Sequence, residues 1–207
     1  AMTQENLTVN KSLKVSKKEI LDDFLLMNVS RNISYIGRKE VFMGRAKFGV
    51  FGDGKELPQI AMSKFFRNGD FRSGYYRDQT FMMSINQLTP DQFFAQLYAH
   101  TDIKKEPHSG GRQMNCHFGT RLLNENGDWK TQTDMMNSVS DISCVSGQMP
   151  RIVGLAYASK LYRNNKNLSD MENFSINGNE VVFGTIGDAS TSEGHFWEAI
   201  NACGVLQ

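Results

Sequence analysis

The stretch Glu180–Gln207, EVVFGTIGDASTSEGHFWEAINACGVLQ, decides the fold. Glu180 to Ile186 is an apolar, β-branched run that predicts a buried strand. Gly187-Asp188 then breaks the chain with a sharp turn. From about Ser192 to Cys203 the apolar spacing becomes helical. Strand, tight turn and helix predict an α/β fold with a parallel sheet flanked by helices. In open sheets of that kind ligands bind beyond the carboxyl ends of the strands, where Gly187 and Asp188 fall. Gly187 permits an unusual backbone and a close approach. The following helix start offers free amides and a positive dipole end, which suit phosphate. Asp188 repels phosphate unless a cation lies between them, and Mg is held by one or two carboxylates plus phosphates. The turn therefore reads either as a Mg-diphosphate anchor or as a plain helix N-cap. Glu193 and His195 read as surface residues.

The bulk composition narrows the partners. The chain has 207 residues, 40% hydrophobic and 22% charged, with a formal net charge of +1. That is ordinary for a globular protein with a real core, and it points to no nucleic acid and no membrane surface. No apolar run approaches the roughly 18 residues a membrane helix needs, and no segment resembles a signal peptide. Cys116, Cys144 and Cys203 are far apart and lack metal spacing, which argues for a reducing, cytoplasmic setting.

Residues 1–15 are polar and read as a flexible tail; 16–207 read as one domain. Ser16 and Glu19 form a capping-box pattern, with Ile20, Leu21, Phe24, Leu25 and Met27 at helical spacing behind it; the helix is expected to end near Gly37. Gly52-Asp53-Gly54 marks a turn before a short helix. FRSGYYRDQTFMMS predicts a strand and then a helix start. Thr89, Pro90 and Gln92 open another helix with a full capping box. Lys104 to Asp141 reads as one long loop, and such loops are functional or disordered. His108 and His117 within it read as exposed loop histidines or, alternatively, as lining an active-site entrance. MPRIVGLAYASKLY is a helix whose small residues predict close packing. Arg163 to Asn179 reads as a surface excursion. Met82, Met83, Phe93 and Phe94 read as core or subunit-interface packing.

Several segments, in order, carry a resemblance to a known family. They are FGDGKE, SGYYRD, FFAQLYA, GGRQMNCHFG, VSGQMPRIVGLAYA and IGDASTSEGHFWEAINA. Together, over about Ser16 to Gln207, they resemble the alpha subunit, or alpha half, of the decarboxylating component of 2-oxo acid dehydrogenases. GGRQM with its following histidine is most similar to the branched-chain (2-oxoisovalerate) type. The resemblance implies a thiamine-diphosphate-binding fold, with thiamine diphosphate and Mg as cofactors. It implies that Tyr76 and Arg77 contact the diphosphate, as an arginine fork suits. It implies that Ser143 and Val145 face the aminopyrimidine, Val145 as a wedge that bends the cofactor. Gln148 matches a residue near a monovalent-cation site, Asp188 matches the Mg ligand, and Gly187, Ala189 and Ser190 line the diphosphate. The implied partners are a beta subunit or beta half and a lipoyl-bearing acyltransferase, in a dimer or heterotetramer.

The sequence departs from the family pattern at two positions. Ala189 replaces a glycine and needs a backbone any residue can adopt. Val50 stands where members often carry a histidine. The family's second Mg ligand, its later catalytic loop and the last part of the sheet are expected beyond Gln207, so the chain reads as an N-terminal fragment, inactive alone, with its catalytic residues elsewhere. Two other readings stay open: a non-catalytic binding or assembly module, and a nicotinamide-binding domain, which ranks last because FGDGKE lacks the G-x-G-x-x-G pattern.

Overall fold

A computed structural model describes residues 15–168 and 170–206. Of the expected tail only Val15 falls among these residues. Three short strands, β1 (Phe71–Ser73), β2 (Asn137–Ser138) and β3 (Val182–Gly184), form one parallel sheet in the order β2-β1-β3. Phe71 pairs with Asn137 and Val182, Arg72 with Ser138 and Phe183, and Ser73 with Gly184. Parallel pairing brings all the carboxyl ends to one edge, so the expected α/β class holds. β3 is less buried than its apolar sequence predicts. It is one of the two edge strands; Val182 and Phe183 are half-buried and Gly184 is exposed. Phe183 still anchors it, with its ring 5.1 Å from that of Phe66.

Six helices surround the sheet among the described residues: α1 (Lys17–Phe42), α2 (Glu56–Ser63), α3 (Gln79–Ser84), α4 (Pro90–Leu97), α5 (Gln148–Asn164) and α6 (Gly194–Leu206). The Thr89 box on α4 closes as expected, with Pro90 at its start. On α1 only half of the expected box forms: Ser16 Oγ accepts from Glu19 N at 3.1 Å, while the Glu19 carboxylate pairs with Lys64. The core joins Ile33, Phe66, Phe81, Met82, Phe93 and Phe118. Met83 is buried with them and Phe94 packs against them. The apolar spacing at the start of α1 forms the helix but faces outward: Ile20, Leu21, Phe24 and Leu25 are all exposed. The inward stripe is instead Leu26, Val29 and Ile33 with the buried hydroxyls of Ser30 and Ser34. Among the small residues of α5, Gly154 marks no tight contact, since nothing lies within 4 Å of a Cβ placed there, whereas a Cβ at Gly178 would stand 2.1 Å from Ser159 O.

Gly37 does not end α1, which continues to Phe42. A Cβ there would stand 2.5 Å from Phe51 Cε1, so the glycine serves ring-on-helix packing. Helix propensity alone favours Gly37→Ala by about 1 kcal/mol, but overpacking costs about 1–3 kcal/mol. The expected result is a lower midpoint in thermal unfolding; a raised midpoint contradicts the packing account.

The long segment from Lys104 to Asp141 contains β2, which the sequence did not announce, and a 3-10 turn at Gln132–Asp134. Its first part is ordered by Glu106, fully buried, which accepts from the backbone amides of His108, Ser109 and Gly111 and from Ser109 Oγ. The end of α1 is tied to the end of α4 through Glu40, which pairs with Arg45 and accepts from Tyr98 Oη at 2.6 Å. Arg45 first, and Tyr98 second, hold the Glu40 carboxyl down at about 2. A depressed folded value means that this contribution is complete above the ordinary glutamate range and fades as pH falls towards about 2. Glu40→Gln is therefore expected to lower urea stability at neutral pH, with the gap narrowing on acidification; a gap independent of pH contradicts it.

Candidate functional site

The three strand ends deliver the residues singled out by sequence to one edge of the sheet. β1 runs into Gly74-Tyr75-Tyr76-Arg77, the chain after β2 runs into Ser143–Gln148, and β3 runs into Thr185–Ser190. Direct bonds lock these segments together. Tyr75 N donates to Thr185 Oγ1 at 3.0 Å, and Gln148 Nε2 donates to Thr185 O at 2.9 Å. Ser146 Oγ donates to Ser190 O, and Ser73 Oγ to Gln148 O at 3.3 Å. Ser146 itself adopts a φ of +60°, a left-handed backbone unusual for serine.

Arg77 lies at the centre of the edge. Its guanidinium carbon is 5.9 Å from the ring centres of both Tyr75 and Tyr76. Its Nε is buried and has no hydrogen-bond partner, and a buried orphan donor calls for an explanation. The Gly52-Asp53-Gly54 turn supports this segment from behind. Gln59 Nε2 donates to Arg77 O at 2.9 Å, and a Cβ at Gly52 would stand 2.4 Å from the same oxygen. Burial pushes the Tyr75 phenol up to about 12, so it stays a neutral donor.

The Gly187 turn is built differently from the sequence expectation. Gly187 is not in the left-handed region. It is needed because a Cβ would stand 2.8 Å from Tyr75 Oη. Ala189 also avoids the left-handed region, so the departure from glycine costs no strain. The long helix does not start at the turn: a 3-10 turn, Ala189–Ser192, intervenes before α6. Asp188 makes no side-chain cap, and it is exposed. The N-cap reading thus finds no bond to support it. Ser190 is buried, and its carbonyl accepts from Ser146 Oγ.

Ser143 is exposed, and its Oγ lies 2.9 Å from His117 Nε2. His117 is not the exposed loop residue that its sequence context suggested. It is 2% exposed, stacked near Tyr76 at 14° and 6.3 Å, with Nδ1 against Asn115 O. His108 is half-buried, and burial pushes its pKa down. Val145 is 46% exposed, which removes core packing as the reason for that valine. Gln148 is buried with its amide turned to Thr185 O. Val50 holds the loop through its backbone: its N–H donates to Asn115 Oδ1 at 2.9 Å, and its carbonyl accepts from Asn115 Nδ2. Among the described residues no three His, Cys, Asp or Glu side chains gather as a metal cluster. Sequence reasoning missed Thr185 and Ser146, which carry no local signal and become site residues only through partners distant in sequence.

The chain thus has an open parallel α/β sheet with an arginine donor and an exposed carboxylate at its carboxyl edge, the place where ligands bind in folds of this class. The chain belongs to the family described as the dehydrogenase E1 component, whose model matches residues 26–207. It is 26% identical over 197 residues to the 2-oxoisovalerate dehydrogenase subunit alpha of Bacillus subtilis (strain 168), covering 95% of this chain and 50% of that protein. It is 26% identical over 181 residues to the mitochondrial subunit alpha of Caenorhabditis elegans, covering 87% and 34%. The mitochondrial subunit alpha 2 of Arabidopsis thaliana is 25% identical over 204 residues, covering 97% and 36%. The chain thus spans between about a third and a half of the length of these curated relatives.

Proposed function

We propose that this chain is the diphosphate-anchoring part of the alpha side of a branched-chain-type 2-oxo acid dehydrogenase, using thiamine diphosphate and Mg. The observation that carries the reading is that one sheet edge holds both the buried, unpartnered Arg77 Nε and the exposed Asp188 carboxylate, which makes no side-chain cap bond. An arginine donor fits a phosphate oxygen. A single carboxylate fits Mg, which takes one or two from protein and the rest from phosphate and water. Thiamine diphosphate, when bound, supplies the electron sink that lets a 2-oxo acid lose carbon dioxide.

The chain's own residues bind and orient. Tyr76 and Arg77 would hold the diphosphate, and Asp188 would hold the Mg. The exposed Val145 and the Ser143 backbone would face the ring, with Ser143 Oγ held by His117. Gln148 Nε2 is engaged by Thr185 O, so its Oε1 would be the atom to face a monovalent cation. A beta partner would complete the pocket, and the acyl group would pass to a lipoyl arm on an acyltransferase. A cytoplasmic location belongs to the same reading and rests on three free cysteines.

Calorimetric titration of thiamine diphosphate, with and without Mg, into the chain alone and into its assembly with a beta-type partner tests this. Saturable, Mg-dependent binding in the assembly is expected. No binding in either overturns the reading and leaves a non-catalytic assembly module.

A further inference from the structure

Beneath the site edge lies a buried ion triad that the proposed chemistry does not itself use. Arg72, in the middle of β1, is 1% exposed. Its Nε donates to Asp78 Oδ2 at 2.9 Å. One terminal nitrogen donates to Ser138 Oγ at 2.8 Å and Asp141 Oδ1 at 3.1 Å. The other donates to Asp141 Oδ2 at 3.0 Å and Tyr75 O at 3.1 Å. Each partner leads to a different part of the site. Asp78 Oδ2 accepts from Tyr75 N and Thr185 Oγ1, on the turns that follow β1 and β3. Asp141 Oδ2 accepts from Phe118 N, beside His117, and Asp141 itself precedes Ser143 by two residues. Gly74 makes room for the fork, since a Cβ there would stand 2.2 Å from the guanidinium.

We infer that Arg72 is a positioning residue, whose single guanidinium sets the mutual placement of segments 75–77, 141–146 and 185–190. Only a planar fork with five donors reaches all these acceptors at once; a lysine offers one point charge. A buried ion group is often no more stable than apolar residues of similar volume, so stability alone does not account for it. Its links to all three strand ends do. The functional consequence rests on the cofactor reading above, but the geometric claim stands apart from it.

The test replaces the charges together: Arg72→Met with Asp78→Asn and Asp141→Asn. Each asparagine keeps an acceptor for its local amide, and no unpaired charge remains. The thermal midpoint is expected to hold or rise, while amide hydrogen exchange in all three segments quickens together by at least about tenfold, against unchanged exchange in α4. Thiamine diphosphate affinity in the beta-partnered assembly is expected to fall by at least about tenfold. Arg72→Lys should fall between the two, and it reads the same segments should the triple variant not fold. Exchange that quickens in one segment only, or in none, overturns the inference. Failure of the unsubstituted assembly to bind cofactor overturns the functional reading alone, because the exchange result still decides the geometry.

Discussion

Arg72→Met alone is expected to destabilise the fold by about 3–5 kcal/mol, the cost of breaking a buried pair from one side. Asp78 and Asp141 are each almost fully buried, and both point at the guanidinium. Methionine fills the volume but leaves two carboxylates without their cation. Burial already pushes the Asp78 carboxyl up, against the pull of Arg72. Without Arg72 the folded value of the Asp78 carboxyl rises further above its unfolded one. A raised carboxyl value means stability is lost as pH rises and recovered as pH falls. The penalty should therefore be largest near neutrality and shrink as pH falls towards the ordinary aspartate range of about 4, as Asp78 takes up a proton. For a chain of this size the thermal midpoint should drop by on the order of 10 °C. Denaturant unfolding at two pH values checks both parts. A change below about 1 kcal/mol, or a penalty that grows in acid, contradicts the account.

Asp188→Asn is expected to do the opposite: leave stability alone and remove function. The carboxylate is exposed and makes no cap. Surface changes away from special features stay within about 0.5 kcal/mol. Losing residues that merely support metal ligands typically costs 10–100-fold in affinity, so losing the ligand itself should cost about 100-fold or more in Mg-dependent thiamine diphosphate binding. At 1.4 kcal/mol per tenfold that is roughly 2.7 kcal/mol. Titration of the beta-partnered assembly, with parallel thermal unfolding, reads both quantities. Unchanged affinity would return Asp188 to a plain turn residue. A large loss of stability would show that its side chain holds the turn.

Much of the architecture could be read locally. The Thr89 box, the Gly52-Asp53-Gly54 turn and the strand-turn-helix order around Gly187 are encoded within a few residues of each other, because caps and turns are satisfied by near neighbours. The long-range assignments were harder. β2 is two polar residues, Asn137 and Ser138, with no periodicity to detect. Ile20 and Phe24 announce a helix, but not which side of it meets the core. Gly37 looks like a helix stop until the Phe51 ring is seen against it.

The sequence by itself determined the fold class, the order of the elements other than β2, and the candidate residues Tyr76, Arg77, Ser143, Val145 and Asp188, since these rest on local chemistry and motif order. Only the tertiary structure decided that Arg72 is interior, that His117 belongs to the site, and that Asp188 is not a cap. Their partners lie far along the chain: Arg72 meets Asp141 across 69 positions, and His117 meets Ser143 across 26. Whether an arginine or a histidine is buried depends on whether distant groups can satisfy its donors, and that becomes visible only once the strands are paired.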